Sequence, residues 1–370
     1  MVNNPPKKTL LSSSSLFATL VITLMGANFL DSPHYGAKYG GPSGYWSVIV
    51  AFVLISLVVV LIQAFQIRFP NQNLFQITPG IIGKPLSLIG NLLFLSGFLI
   101  QLILAIRDGS GLVLNYLLNR TPLWAIAFVF LLSIGYIASN GLAAIIRLIN
   151  FLFLPVFIIR LGIELLSIQK IEMTHLLPLV SEPPGQYLMG GLAIAGYFFP
   201  ITIVFLLSNR LKNPPKLITA IFGAVGCVFP VYLLAFIGTI GVFGVKYTLN
   251  LTWPEISTID YISIPFLVIE RLGLIFLITW ITSLLATNTF YLYALASGLK
   301  QQFPILKYRL TALVLLALVI GAGMFMPNTI LVHQLYTQIR PWLMVPVTAY
   351  PLFIYIIALL RGKRGNRIEA

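Results

Sequence analysis

Long apolar runs recur along this sequence from Leu10 to Leu360, separated by short polar segments. Each run has about 20 residues, the length of α-helix that crosses about 30 Å of hydrocarbon. Charged residues make up only 9% of the 370 residues, whereas a soluble domain has about 25%. The chain is therefore predicted to be an all-α membrane protein with about ten transmembrane helices in one domain.

Hydropathy and length place the predicted spans at residues 10–30, 45–65, 85–106, 122–139, 141–161, 186–207, 217–243, 272–299, 310–326 and 341–360. Residues 1–9 and 361–370 are then short tails, and residues 10–360 form the helical bundle. The first run is not followed by a convincing cleavage site, so it is expected to remain as the first helix.

Basic residues set the predicted orientation. With both termini in the cytoplasm, the inner loops and tails carry about twice as many Lys and Arg residues as the outer loops, as the positive-inside rule requires. The formal net charge of +14 is therefore attributed to membrane topology, and no nucleic-acid partner is expected. Most acidic residues and all three histidines fall in outer segments on this topology, so no buried carboxylate is expected to carry protons.

Sequence motifs of enzymes are missing. The chain has no phosphate-binding glycine loop after a strand, no HExxH pattern and no Cys/His cluster, and its single cysteine is Cys227 in an apolar run. No catalytic residue, metal site or cofactor is predicted.

Two apolar helices are interrupted at equivalent places, in the first and the sixth of ten spans. Gly26 and Asn28 interrupt the first, and Gly196 and Pro200 interrupt the sixth. Unwound backbone within a membrane needs a ligand, water or a neighbouring helix to satisfy its polar groups, and such breaks form midplane binding sites in inverted-repeat transporters. The spacing favours a five-plus-five inverted repeat with a site for a small zwitterion. Alternatively, the glycines are packing contacts and the proline is only a kink.

Polar residues of the third and eighth spans could line the same cavity as these breaks. The predicted ligand-binding residues are Gly26, Ala27, Asn28, Ser96, Gly196, Tyr197, Phe198, Phe199, Thr287 and Asn288.

Two connecting segments are predicted to be more than loops. Residues 71–84 contain Pro79, Gly80 and Gly83 among apolar residues and are expected to form a short interfacial element on the inner face. Residues 253–271 are expected to include a helix over the outer mouth.

Several stretches together resemble the B-subunit family of spore germination receptors (GerAB-like). They lie in the same order over nearly the whole chain: Arg68–Pro70, Thr121–Trp124, Asn140–Arg147 running into Phe153–Pro155, Leu176–Leu179, Asn288–Gly298, Tyr308–Arg309 and Met326–Asn328. The resemblance implies membership of the amino acid–polyamine–organocation transporter superfamily and a LeuT-type fold with broken helices 1 and 6.

By this resemblance, the chain is a receptor subunit of the spore inner membrane that binds a nutrient germinant, often an amino acid. It would act with A and C subunits, and the two helix breaks would be the site. The sequence has Pro200, Ile201 and Thr202 where many relatives have an acidic residue, so ion coupling is not carried over. The alternatives are a stand-alone amino-acid permease and a membrane scaffold without a ligand.

Overall fold

The computed structural model describes residues 11–26, 29–211, 216–262, 272–326 and 328–365. Within these ranges the regular secondary structure is helical and includes no β-strand. The α-helices in chain order are α1 (Ser13–Met25), α2 (Ser32–Gly40), α3 (Tyr45–Arg68), α4 (Leu74–Ile82), α5 (Lys84–Tyr116), α6 (Leu123–Ser139), α7 (Leu142–Ser167), α8 (Pro184–Ala195), α9 (Val204–Leu207), α10 (Leu217–Thr248), α11 (Pro254–Tyr261), α12 (Leu272–Gln302), α13 (Tyr308–Met324) and α14 (Thr329–Leu360).

Seven helical segments of the described residues are long and apolar enough to cross a membrane. They are α3, α5, α7 with the turn that follows it, α10, α12, α14 and the composite segment Pro184–Arg210. Three shorter apolar helices, α1, α6 and α13, accompany them. The predicted all-helical membrane fold is confirmed, whereas the number of spans and the inverted repeat stay predictions.

Both predicted interruptions are present. Helix α1 ends at Met25, a 3-10 turn covers Phe29–Asp31, and α2 follows; Ala27 and Asn28 lie outside the described residues. In the sixth segment, the α-helix stops at Ala195, and Gly196–Ile203 form a 3-10 stretch before α9. Pro200 lies in that stretch, where its missing N–H prevents a regular α-helical hydrogen bond.

The helices around the two breaks form the centre of the bundle. Helix α1 packs against α7, α10 and α12, and the 3-10 stretch 196–203 packs against α1 and α14. Two glycines allow these close approaches. A Cβ on Gly26 would overlap the Ser283 carbonyl and the Thr287 hydroxyl, and a Cβ on Gly196 would lie 3.1 Å from the Arg340 backbone. Gly26 and Gly196 are therefore also packing residues.

Three helices are longer than predicted, and this changes the position of their charges. Helix α5 runs ten residues beyond the predicted end at Ile106, α7 continues to Ser167, and α14 begins at Thr329 rather than near Pro341. The 33 residues of α5 span about 50 Å at 1.5 Å per residue. Five charged residues that the predicted topology places in outer segments are consequently part of these helices: Arg107, Asp108, Arg160, Glu164 and Arg340.

The segment after α3, predicted to form a short interfacial element, contains the helix α4, while its position at the inner face stays a prediction. Asn73 begins α4 with a capping box: its side chain accepts from the Gln76 N–H, and the Gln76 side chain accepts from the Asn73 N–H, both at 3.0 Å. The helix predicted within residues 253–271 is present as α11, its outer position stays a prediction, and residues 263–271 lie outside the described ranges.

Candidate functional site

The carboxylate of Asp31 lies at the first helix break, between the 3-10 turn and α2. It is 2% exposed, and its Oδ2 atom accepts a hydrogen bond of 3.2 Å from the Tyr197 hydroxyl of the second break. Its Oδ1 atom is buried and has no hydrogen-bond partner among the described residues. A buried carboxylate oxygen without a donor is costly. Asp31 Oδ1 is therefore a candidate to accept a hydrogen bond from a ligand.

Arg340 of α14 faces the same carboxylate. Its Nη1 atom lies 3.5 Å from Asp31 Oδ2, and both side chains are almost completely buried. The guanidinium carbon lies 4.2 Å from the centre of the Tyr197 ring and 4.0 Å from that of Tyr336. Such cation–π contacts contribute about 2 kcal/mol or more when desolvated. Asp31, Tyr197, Tyr336 and Arg340 together are termed the Asp31–Arg340 site.

A second polar layer on α5 and α14 adjoins this site. The His333 ring lies 2.9 Å from Asp108, with both side chains buried. The Tyr336 hydroxyl donates to Gln101 Oε1 at 2.8 Å. Opposite charges and aromatic hydroxyls thus converge where the two helix breaks meet α14.

A cavity of about 160 Å³ reaches Asp31 from one end of the bundle. His34, Tyr35, His333 and Thr337 are among its lining residues, and the remainder are Leu249, Asn250, Leu251, Thr252, Ile330 and Gln334. Pockets for drug-sized ligands have about 300–1,000 Å³. The cavity therefore fits a very small polar molecule.

Of the predicted ligand-binding residues, Tyr197 belongs to the Asp31–Arg340 site and Gly196 packs against the Arg340 backbone. Gly26 meets Thr287, whose hydroxyl donates to the Thr23 carbonyl at 3.1 Å and to the Ser283 carbonyl at 2.8 Å. These four residues therefore lie at the two breaks or directly against them.

The other predicted residues contact different neighbours. The Phe198 ring packs on Tyr232 with centroids 5.0 Å apart, and the Phe199 ring packs on Phe98 at 4.9 Å. Both Phe rings are buried, so they form the apolar wall behind the second break.

Two predicted polar residues bond to their own helices. The Ser96 hydroxyl donates to the Leu93 carbonyl at 2.7 Å, and the Asn288 amide donates to the Leu284 carbonyl at 2.8 Å. Asn288 Oδ1 is buried without a hydrogen-bond partner among the described residues. Ala27 and Asn28 fall outside the described ranges, so their predicted contact with a ligand stays a prediction.

The placement of acidic residues in outer segments, with no buried carboxylate that could carry a proton, was wrong for four of them. Asp31, Asp108, Glu164 and Glu255 are each 1–2% exposed. His333, which the predicted topology also places in an outer segment, is buried at 6% exposure.

Helix length is the signal that could have located these groups. The predicted third span ends before Arg107 and the predicted tenth span begins after Arg340, although helical periodicity continues past both charges. Thr329–Arg340 can extend the last span without a break, because Pro341 is tolerated within a membrane helix.

A family model supplies the wider context for this site. The family model, which is described as "Spore germination protein", matches residues 10–330 of this sequence. The chain belongs to this spore germination family. This agrees with the resemblance read from the sequence.

Curated relatives match over most of their length. Spore germination protein YndE of Bacillus subtilis (strain 168) is 29% identical over 289 residues, which are 77% of this chain and 80% of the relative. Spore germination protein GerLB of Bacillus cereus is 28% identical over 352 residues, 93% of each chain. Spore germination protein A2 of B. subtilis is 24% identical over 344 residues, 92% of this chain and 93% of the relative.

Solved transporters share the fold. Mhp1, a nucleobase-cation-symport-1 family transporter with bromovinylhydantoin bound, has a TM-score of 0.68 at 14% identity, covering 98% of this chain and 87% of Mhp1. MhsT in complex with L-phenylalanine has a TM-score of 0.64 at 13% identity, covering 92% of this chain and 97% of MhsT. The fold is that of LeuT-type transporters, and the germination family to which the chain belongs is a transporter-like membrane family and not a class of enzymes.

Proposed function

We propose that this protein is the germinant-binding subunit of a spore germination receptor and that its ligand is a small zwitterionic amino acid. The observation that carries the proposal is the Asp31 carboxylate, which is buried at the first helix break and lines a cavity. One of its oxygens has no hydrogen-bond partner among the described residues. The unpartnered oxygen would accept a hydrogen bond from the ligand ammonium group.

The ligand carboxylate would bind Arg340. The present contact between Arg340 and Asp31 is long, at 3.5 Å, compared with about 2.7–2.9 Å for a strong charge-assisted hydrogen bond. A zwitterion could separate the two side chains and offer each an opposite charge. Arg340 does not line the cavity, so this step requires α14 and the 3-10 stretch 196–203 to move apart.

Such a movement would provide the signal. A ligand that binds one arrangement of the broken helices better than another shifts the population between them. We propose that A and C subunits detect this shift, that the protein acts in the spore inner membrane, and that both tails, 1–9 and 361–370, are cytoplasmic. The single bundle 10–360 would form the whole domain.

The proposal is tested by binding of radiolabelled amino acids to the purified chain. Saturable binding of a small zwitterionic amino acid is expected, with at least a tenfold loss for Asp31→Asn. The exposed Glu172 provides the control Glu172→Gln, which should bind as the wild type does. Binding that survives Asp31→Asn unchanged would remove the ammonium contact from the proposal.

A stand-alone permease is the second candidate, because the fold is shared with solved transporters. Proteoliposomes containing only this chain distinguish the two functions. A receptor subunit binds the amino acid without accumulating it, whereas a permease accumulates it inside the vesicle. A scaffold would do neither.

A further inference from the structure

Three charged side chains lie together away from the Asp31–Arg340 site, where α11 packs on α7. Arg160 Nη2 and Glu255 Oε1 are 3.2 Å apart, and each side chain is 1% exposed. Glu164, one turn after Arg160 on α7, is 2% exposed, and its carboxyl group lies close to that of Glu255. The cluster contains two carboxyl groups and one guanidinium in a volume closed to water.

The contact between Glu164 and Glu255 has a chemical requirement. Glu164 Oε1 and Glu255 Oε2 are both buried, and neither accepts a hydrogen bond from a donor among the described residues. Two ionised carboxylates only accept hydrogen bonds, so they repel each other when they meet. They can bond to each other when one of them carries a proton, as in paired carboxyl groups that share a site.

Charge counting within the cluster gives the same requirement. Arg160 balances one carboxylate, and an unbalanced second charge would be costly at this burial. Among the described residues, the Tyr232 hydroxyl on α10 and the Asp31 carboxylate also act electrostatically on this cluster, and the Phe276 ring of α12 lies 4.0 Å from the Arg160 guanidinium carbon. Burial raises the pKa of Glu255, and the neighbouring Glu164 charge raises it further.

We propose that Glu164 and Glu255 form a proton-binding site that holds one shared proton and thereby fastens α11 to α7. Protonation of one of the two groups leaves a single carboxylate, which pairs with Arg160. The protonated carboxyl group then donates a hydrogen bond to that carboxylate. Release of the proton to water leaves two carboxylates in contact, and their repulsion separates the helices.

The position of α11 links this proton to the cavity. Residues 249–252 line the cavity and lead directly into α11, and the Trp253 ring lies 5.3 Å from the His333 ring. Helix α11 also packs against the 3-10 turn that carries Asp31. Loss of the proton would therefore destabilise the packing of α11 and of residues 249–252, which line the cavity, whatever ligand the cavity binds.

Infrared spectroscopy of the purified full-length chain at pH 7 tests the proposal. The C=O stretch of a protonated carboxyl group is expected in the wild type. It should disappear in both Glu164→Gln and Glu255→Gln and remain in the control Glu172→Gln. The absence of such a band in the wild type, or its persistence in both cluster variants, overturns the proposal.

Thermal unfolding as a function of pH gives a second readout. The folded protein would bind a proton that the exposed unfolded glutamate, with a pKa of about 4.3, has lost at neutral pH. The stability that this site contributes is therefore complete below that pKa. It is lost as pH rises through the raised pKa of folded Glu255, by up to tenfold in the unfolding constant per pH unit. Glu255→Gln should flatten this dependence, and a variant that follows the wild-type curve would contradict the proposal.

Discussion

Arg340 and Asp31 come from opposite ends of the sequence and meet at the junction of both helix breaks. Their contact is 3.5 Å long, and the Tyr197 hydroxyl reaches the same Asp31 oxygen at 3.2 Å. The first break, the second break and α14 are therefore joined through a single carboxylate oxygen. A change at this oxygen acts on all three segments at once.

Removal of either charge should destabilise the fold. Asp31→Asn and Arg340→Met are each expected to lower the free energy of unfolding by about 3 kcal/mol, because breaking a buried ion pair leaves the other charge poorly compensated. The double variant should lose less than the sum, with a coupling energy above about 1 kcal/mol. Chemical unfolding of the purified chain in detergent measures these values. Strictly additive losses would show that the two side chains do not interact.

Gly196 is expected to be intolerant of even one methyl group. Gly196→Ala would bring Cβ to 3.1 Å from the Arg340 carbonyl and from Pro341 Cα, so the 3-10 stretch or α14 must shift, and amino-acid binding should weaken at least tenfold. Gly162 of α7 is the matched control, since a Cβ there meets no atom within 4 Å. Gly162→Ala should leave binding unchanged and stabilise the helix by about 0.5–1 kcal/mol. Equal binding by both variants would refute the close-approach argument.

Gly26→Leu should abolish the nutrient response while the protein remains in the membrane. Its side chain would collide with the Ser283 carbonyl and the Thr287 hydroxyl of α12, which forces α1 away from α12. Gly226 of α10, where a Cβ meets nothing within 4 Å, provides the control Gly226→Leu. Germination of spores against nutrient concentration measures the response, and membrane immunodetection measures retention. A wild-type dose response for Gly26→Leu would remove the first break from the site.

The helical membrane fold and the two helix breaks could be predicted from the sequence. Glycine and proline within apolar runs mark where a membrane helix cannot continue, and this signal is local. Tyr197 was found for the same reason, since it directly follows Gly196. The family resemblance also came from residues that lie in order along the chain.

The charged half of the site could not be found in this way. Asp31, Asp108 and Arg340 were assigned to outer loops because a hydropathy window ends at a charge. Burial of these groups depends on pairing between segments that are distant in the sequence, such as the 3-10 turn Phe29–Asp31 with α14 and α5 with α14. Pairing is a tertiary property, and a single sequence without aligned relatives does not contain it.

Two tyrosine substitutions should separate binding from simple structural support. The Tyr336 hydroxyl donates to Gln101 at 2.8 Å beside Arg340, and the Tyr350 hydroxyl donates to Asn91 at 2.9 Å farther along α14. Tyr336→Phe and Tyr350→Phe each remove one hydrogen bond, so each should lower the free energy of unfolding by about 1 kcal/mol.

Only Tyr336→Phe is expected to change amino-acid affinity. The Tyr336 ring lies 4.0 Å from the Arg340 guanidinium, and its bond to Gln101 fixes the orientation of that ring, whereas Asn91 is buried among Thr78 and Gln302 at a separate cluster. Binding isotherms of the two purified variants provide the comparison. If Tyr350→Phe weakened binding as much as Tyr336→Phe, loss of stability alone would explain both effects, and Tyr336 would have no separate role in positioning Arg340.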